Sequence, residues 1–248
     1  FTMKPGHTLV MNGTGTSTLA NNKLWNFQTS GGGTVGLVGT QWVQGNLTLG
    51  STINAGTSAV VISSSSATIQ GGGYTLYDVY VSSTAPATTT LSTTDLKISN
   101  TLSVATGTGI SISSGRTLTF TQTGGAVTLH SSTSTISGAG SFLFQPTGSA
   151  FWQPSGNGKI SATTTFDMKN GAISIFTSHL TNGPVVFDNG SASSRTLTFD
   201  ITNGTAFNFA SSVTVNSSGG GNITLDPGGA AQPVISVSST LSFGRTGG

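Results

Sequence analysis

The chain predicts an all-β fold of the parallel solenoid class: a β-helix of about ten short coils. Three observations carry this expectation. A short apolar–polar–apolar triplet keeps returning, longer phrases recur at spacings near 52 and near 80 residues, and helical periodicity is nearly absent.

Successive side chains of a strand point to opposite sides, so such a triplet is the smallest strand with one buried face. In chain order the triplets are Leu47-Thr48-Leu49, Leu102-Ser103-Val104, Ile110-Ser111-Ile112, Leu118-Thr119-Phe120, Val127-Thr128-Leu129, Ile173-Ser174-Ile175, Val213-Thr214-Val215, Ile223-Thr224-Leu225 and Leu241-Ser242-Phe243. They recur roughly every 7–10 residues, separated by Gly, Ser, Asn and Thr, which is too often for helices. No stretch repeats apolar residues at helical spacing, and no run nears the roughly 20 apolar residues that span a bilayer.

The longer phrases come next. Gly6-His7-Thr8-Leu9-Val10-Met11 parallels residues 115–120 and 194–199, and Leu24-Trp25-Asn26-Phe27 parallels Leu76-Tyr77-Asp78-Val79. Strands preserved across variable loops indicate stacked units, each burying its face on its neighbours. Three short strands per coil imply coils of about 20–27 residues, so the two spacings read as two and three coils. The domain expectation is one elongated solenoid over 1–248, with 1–23 as an N-terminal cap or subunit-linking segment. The rival fold is one or two antiparallel β-sandwiches, which the segments Leu118–Thr123 and Val234–Val237 would also suit.

Composition narrows the function classes. Of 248 residues only 34% are hydrophobic and 6% charged, against about 45–50% and about 25% in ordinary globular chains. Ser and Thr supply roughly a third, and there are 36 Gly. Sustained period-two placement of β-branched and aromatic residues separates this chain from a disordered low-complexity tract. A net charge of +2 without any Lys/Arg cluster gives no basis for nucleic-acid binding. The absence of Cys removes disulfides and thiolate metal sites and leaves the compartment open. The opening Phe1-Thr2-Met3-Lys4-Pro5-Gly6 is neither an initiator Met nor a signal peptide, as expected of a processed product or part of a longer chain.

The Gly-x-Thr-Leu-Thr-Phe phrases and Asn100-Thr101-Leu102-Ser103-Val104 resemble the Ser/Thr/Gly-rich repeats of secreted bacterial β-solenoid adhesins. Those are the filamentous haemagglutinin-like and autotransporter-passenger families. The resemblance covers most of the chain in style and implies an extracellular fibre or surface role; it transfers no functional residue. Thr117, Thr119, Thr121 and Thr123 also resemble the Thr rows of ice-binding solenoids, but the drifting repeat spacing argues against that reading.

Candidate chemistry is sparse. The six acids are Asp78, Asp95, Asp167, Asp188, Asp200 and Asp226, no two closer than 12 residues. β-Helical pectin-degrading enzymes, which the fold resembles, cluster Asp with basic residues on one face, whereas Asp188-Asn189-Gly190 and Asp226-Pro227-Gly228 read as turns. His7, His130 and His179 lack ligand spacing, no Gly-x-Ser-x-Gly elbow precedes a helix, and the Gly runs at 31–33, 71–73 and 219–221 lack a phosphate-loop Lys. No cofactor is expected. Six Asn-x-Ser/Thr sequons occur, about as many as chance gives here; Asn12, Asn189, Asn203 and Asn216 are the glycosylation candidates. Trp25 and Phe27 are expected to share a buried face with Tyr77 and Val79, while Trp42, Tyr74, Tyr80, Phe151 and Trp152 are either core or an exposed row able to stack sugars.

The functional expectation is a non-enzymatic extracellular structural protein, a subunit of a surface filament or adhesin. It assembles head-to-tail with copies of itself through Phe1, Met3, Phe243 and Arg245, with glycans or a host or neighbouring cell surface as further partners. The alternative is a carbohydrate-binding or polysaccharide-degrading β-helix of phage-tail or lyase type, favoured if two Asp meet on an exposed face beside an aromatic groove.

Overall fold

The computed structural model describes residues 1–82, 87–122, 125–175, 182–199, 207–226 and 235–245. Among them there is no helix and every strand pairing is parallel, so the chain is a parallel β-solenoid rather than an antiparallel sandwich.

Each winding visits three faces in turn. The first carries Thr8–Met11, Asn26–Thr29 and Leu47–Leu49 at the start of a continuous row of eight strands. The second opens with Thr16–Ala20, Thr34–Val38 and Thr52–Asn54, the third with Lys23–Leu24, Thr40–Val43 and Ala59–Ile62. Two long strands, Thr75–Val81 and Leu96–Val104, bend across the second and third faces. Asp78 to Val81 pair back onto Ala59–Ile62, while Leu96 to Ile98 pair forward onto Leu118 to Phe120. They join the two faces into one row of eleven strands ending at Leu241–Arg245. Rows of eight and eleven bracket the expected number of coils.

Winding length drifts along the rod. Thr16 pairs with Thr34, eighteen residues on, Leu96 with Leu118, twenty-two on, and Val213 with Leu241, twenty-eight on. This drift corrects the reading of the repeats. The strands of the Thr-Leu phrase, Thr8–Met11, Thr117–Phe120 and Arg195–Phe199, lie in three different sheets. Phe27 belongs to the first face and Val79 to the third, and Trp25 and Tyr77 are only half-buried. A one-sided strand is spelled the same way on any face; corner length decides which face it joins.

Inside, like residues stack in ladders. On the third face Leu24, Val43, Ile62, Val81, Val104 and Leu129 are successive partners, each at most 2% exposed. On the first face the ladder is Phe27, Leu47, Ile69, Leu91 and Ile112. On the second, Leu76 and Ile98 lead into Phe120, Phe144, Phe166 and Phe187. From Phe120 to Phe187 this ladder is aromatic, and its rings pack on one another at centroid distances of 5.1 to 6.2 Å. Trp152 fills the middle, 5.1 Å from Phe144 and 5.2 Å from Phe166 between ring centroids. Full burial of each such side chain contributes about 1.5–3 kcal/mol, which lets a chain of low hydrophobic content fold.

Corners consume much of the Ser, Thr and Asn. The Asn46 amide oxygen accepts from the Thr68 backbone N–H at 2.9 Å and its hydroxyl at 2.8 Å, and Asn26 accepts from the Asn46 N–H at 2.8 Å. The Thr29 hydroxyl accepts from the N–H groups of Gly50 and Ser51 at 3.0 and 3.1 Å. These side chains continue the ladder where the backbone turns away. Gln41, 0% exposed, performs the same task inside: its amide donates to the carbonyls of Leu19 and Val38 at 3.1 and 2.8 Å. Gly138 turns with φ 109°, and a Cβ there would overlap the Ile112 backbone.

Candidate functional site

On the final described rungs the inward ladders continue into exposed side chains. Phe243 follows Phe187 and Val215, and Leu241 follows Val185 and Val213. They are 67% and 50% exposed, although Phe187 beneath them is 0% exposed. Leu225 follows Leu197 at 45% exposure, and Ile235 follows Phe207 at 40%. Four core-type side chains thus face solvent on one end. Arg245 enters through its backbone, paired with Ser217 in the last strand.

At the other end Thr2 bridges to Lys23, and the Met3 N–H donates to the Lys23 carbonyl at 2.8 Å. Residues 1–23 are therefore wound into the stack, with Thr8–Met11 and Thr16–Ala20 as ordinary first rungs. Met3, Leu9 and Met11 are partly buried against the core, while Phe1 is 74% exposed. The sequence pointed to Phe1, Met3, Phe243 and Arg245; it did not reveal Leu225, Ile235 and Leu241, whose exposure depends on which rung is last.

The glycosylation candidates separate. Asn12 is exposed. Asn189 is 0% exposed, its amide nitrogen donates to the carbonyls of Ser193 and Asn222, and its oxygen accepts from the Ser191 N–H. A glycan cannot be carried there on the folded chain, which corrects that expectation. Asn216 is half-buried and donates to Asp188 at 3.2 Å. Asn203 lies outside the described residues, as do Asp200 and His179.

Stacking brings together one pair of acids that sequence distance concealed. Asp167 and Asp188 are direct partners on adjacent rungs, one winding apart. Asp188 ends a strand rather than opening a turn. Gln145 donates to Asp167 at 2.6 Å and the Lys169 N–H donates at 2.8 Å; the Asp188 carboxylate accepts from the Ser218 N–H at 3.0 Å and its hydroxyl at 2.6 Å. Neighbouring outward partners are Thr165, Val186 and Thr214, so no aromatic groove flanks the pair. Each carboxylate serves backbone and side-chain donors of the corner. His7 contacts the Pro5 carbonyl and His130 the Ser103 hydroxyl, and no cluster of three metal-ligating side chains occurs among the described residues.

The exposed aromatic row survives in part. Trp152 is core, Phe151 is 59% exposed, and Trp42 is 41% exposed. On the outside of the third face Lys23, Trp42, Val61, Tyr80 and Ser103 are successive partners. A shallow groove of about 390 Å³ runs there, lined by Thr40, Trp42, Ala59, Val61, Tyr80 and Ser82. Burial, and then the Asp78 carboxylate, raise the Tyr80 phenol above its ordinary value, so it is a neutral hydroxyl near pH 7. The sequence clue was the nineteen-residue winding linking Lys23, Trp42, Val61 and Tyr80.

Compared with protein-family models, with curated proteins and with solved structures, the chain gives no match.

Proposed function

We propose that this chain is a non-enzymatic extracellular structural protein, a rod-like subunit of a surface filament or adhesin that continues its stack head-to-tail with copies of itself. The observation that carries the reading is the row of core-type side chains exposed on the final described rungs, Leu225, Ile235, Leu241 and Phe243, which a further parallel rung would cover. An apolar ladder end with live strand edges gains from a further rung. Leu241–Arg245 and Thr16–Ala20 each have 5 residues, a match in strand length that suits one stacking on the other. Charge of only 6% keeps repulsion between stacked copies small. The Ser/Thr/Gly-rich surface and the resemblance to secreted adhesins support the extracellular location, with glycans or a cell surface as additional partners.

Negative-stain electron microscopy and sedimentation of purified protein across a concentration series test this. Rods that lengthen with concentration, and that shorten to single particles in a Leu241→Lys, Phe243→Lys variant, are expected. Dispersed wild-type monomers at high concentration would overturn it.

A further inference from the structure

We propose that the outer groove of the third face binds a neutral, extended polysaccharide, with pyranose rings stacked on Trp42 and Tyr80. Trp42 and Tyr80 stand in one outward row with only Val61 between them. Successive rungs are about 4.8 Å apart, close to the length of one sugar unit in an extended chain, so the two rings sit two rungs and two sugars apart. Val61, 7% exposed, and Ala59 form a low apolar floor between the raised aromatic rungs. Such a saddle suits the C–H face of a pyranose, whose hydroxyls point to its rim.

The rim supplies partners. Thr40 lies on one side of the floor and Ser82 on the other, and the Tyr80 phenol adds a third hydroxyl. An apolar site with a few convergent polar groups is the ordinary composition of a ligand groove. Beyond the aromatics the same row continues as Ser103, Thr128 and Ser155, a polar track on which the His130 imidazole meets the Ser103 hydroxyl at 2.9 Å. Charge selects among glycans. Lys23 and Asp78 are the ionic groups next to the groove, one rung above Trp42 and beside Tyr80, and they balance. A polyanionic or polycationic chain would therefore gain nothing here, whereas an uncharged one fits. Trp42 lies on the outer face, outside the inward ladders, and is 41% exposed.

The test is titration of full-length protein with cellohexaose, mannohexaose and an uncharged α-glucan oligomer, followed by tryptophan fluorescence and calorimetry, with hexagalacturonate as the charged comparison. At least one neutral hexamer is expected to bind and shift the emission, and Trp42→Ala and Tyr80→Ala each to weaken it by tenfold or more. Trp42→Phe should retain most binding, and hexagalacturonate should bind at least tenfold more weakly. Both alanine variants alter outward positions, and unchanged circular dichroism confirms that they fold. No binding of any neutral hexamer at millimolar concentration overturns the proposal. So does binding that both variants leave intact, or a loss of self-association in Trp42→Ala, which would assign the groove to contact between copies.

Discussion

Replacing Phe166 by Ala should destabilise the late windings by about 4–5 kcal/mol. Phe166 is 1% exposed, and its ring centroid lies 5.8 Å from Phe144, 5.2 Å from Trp152 and 5.1 Å from Phe187. Truncating a buried Phe costs about 3–5 kcal/mol through lost transfer energy plus the cavity left behind. Three ring partners, each worth about 0.5–1.5 kcal/mol beyond area, put this site at the upper end. The neighbouring Thr165 points outward in the same strand, so Thr165→Ala should stay within about 0.5 kcal/mol. Denaturant unfolding followed by Trp152 fluorescence measures both. Because rungs couple chiefly to their neighbours, hydrogen exchange should accelerate in Ser141–Phe144 and Val185–Asp188 while Asn26–Thr29 keeps its protection. A loss below about 1 kcal/mol for Phe166→Ala, or an equal loss for Thr165→Ala, would refute the inward–outward assignment on which the packing argument rests.

Further outcomes follow from particular contacts. Gln41→Leu should cost about 2–4 kcal/mol in the same unfolding assay, because the Leu19 and Val38 carbonyls each lose a donor and the buried Asn22 N–H loses its acceptor. Gly138→Ala should cost about 2 kcal/mol or more, since φ of 109° is strained for any side chain and the Ile112 backbone blocks the added carbon. Tyr80 should ionise above the ordinary tyrosine range in a titration read as the tyrosinate absorbance that Tyr80→Phe removes. Burial and the Asp78 carboxylate hold its folded-state value above that of a free tyrosine, so its contribution to stability is intact below about pH 10 and declines as pH climbs through the raised value. Tyr80→Phe should flatten that alkaline decline.

The solenoid was legible because alternation survives most other irregularity: Leu47-Thr48-Leu49, Val127-Thr128-Leu129 and Ile173-Ser174-Ile175 read as one-sided strands and are so. What the sequence could not convey was which face each strand joins. That information sits in corners of changing length, so equal phrases at 6–11 and 115–120 fall on different sheets. The same blindness hid the adjacency of Asp167 and Asp188 and of Trp42, Val61 and Tyr80, which are separated by whole windings. Asn189 misled for a related reason. It looks like a loop residue beside Gly190, yet its amide is the hydrogen-bond hub of a buried corner.

The backbone bonds between rungs all point along the length of the molecule. Tension applied from tip to tip is consequently borne in series, junction after junction, with the thinnest one setting the limit. Between Leu47–Leu49 and Thr68–Gln70 the described pairing on the first face shrinks to two residues. On the third face Ala59–Ile62 carries four registered pairs onto Asp78 to Val81 across the same level. Mechanical rupture should therefore begin on the first face at that level, with the third-face ladder as the last tether to give way.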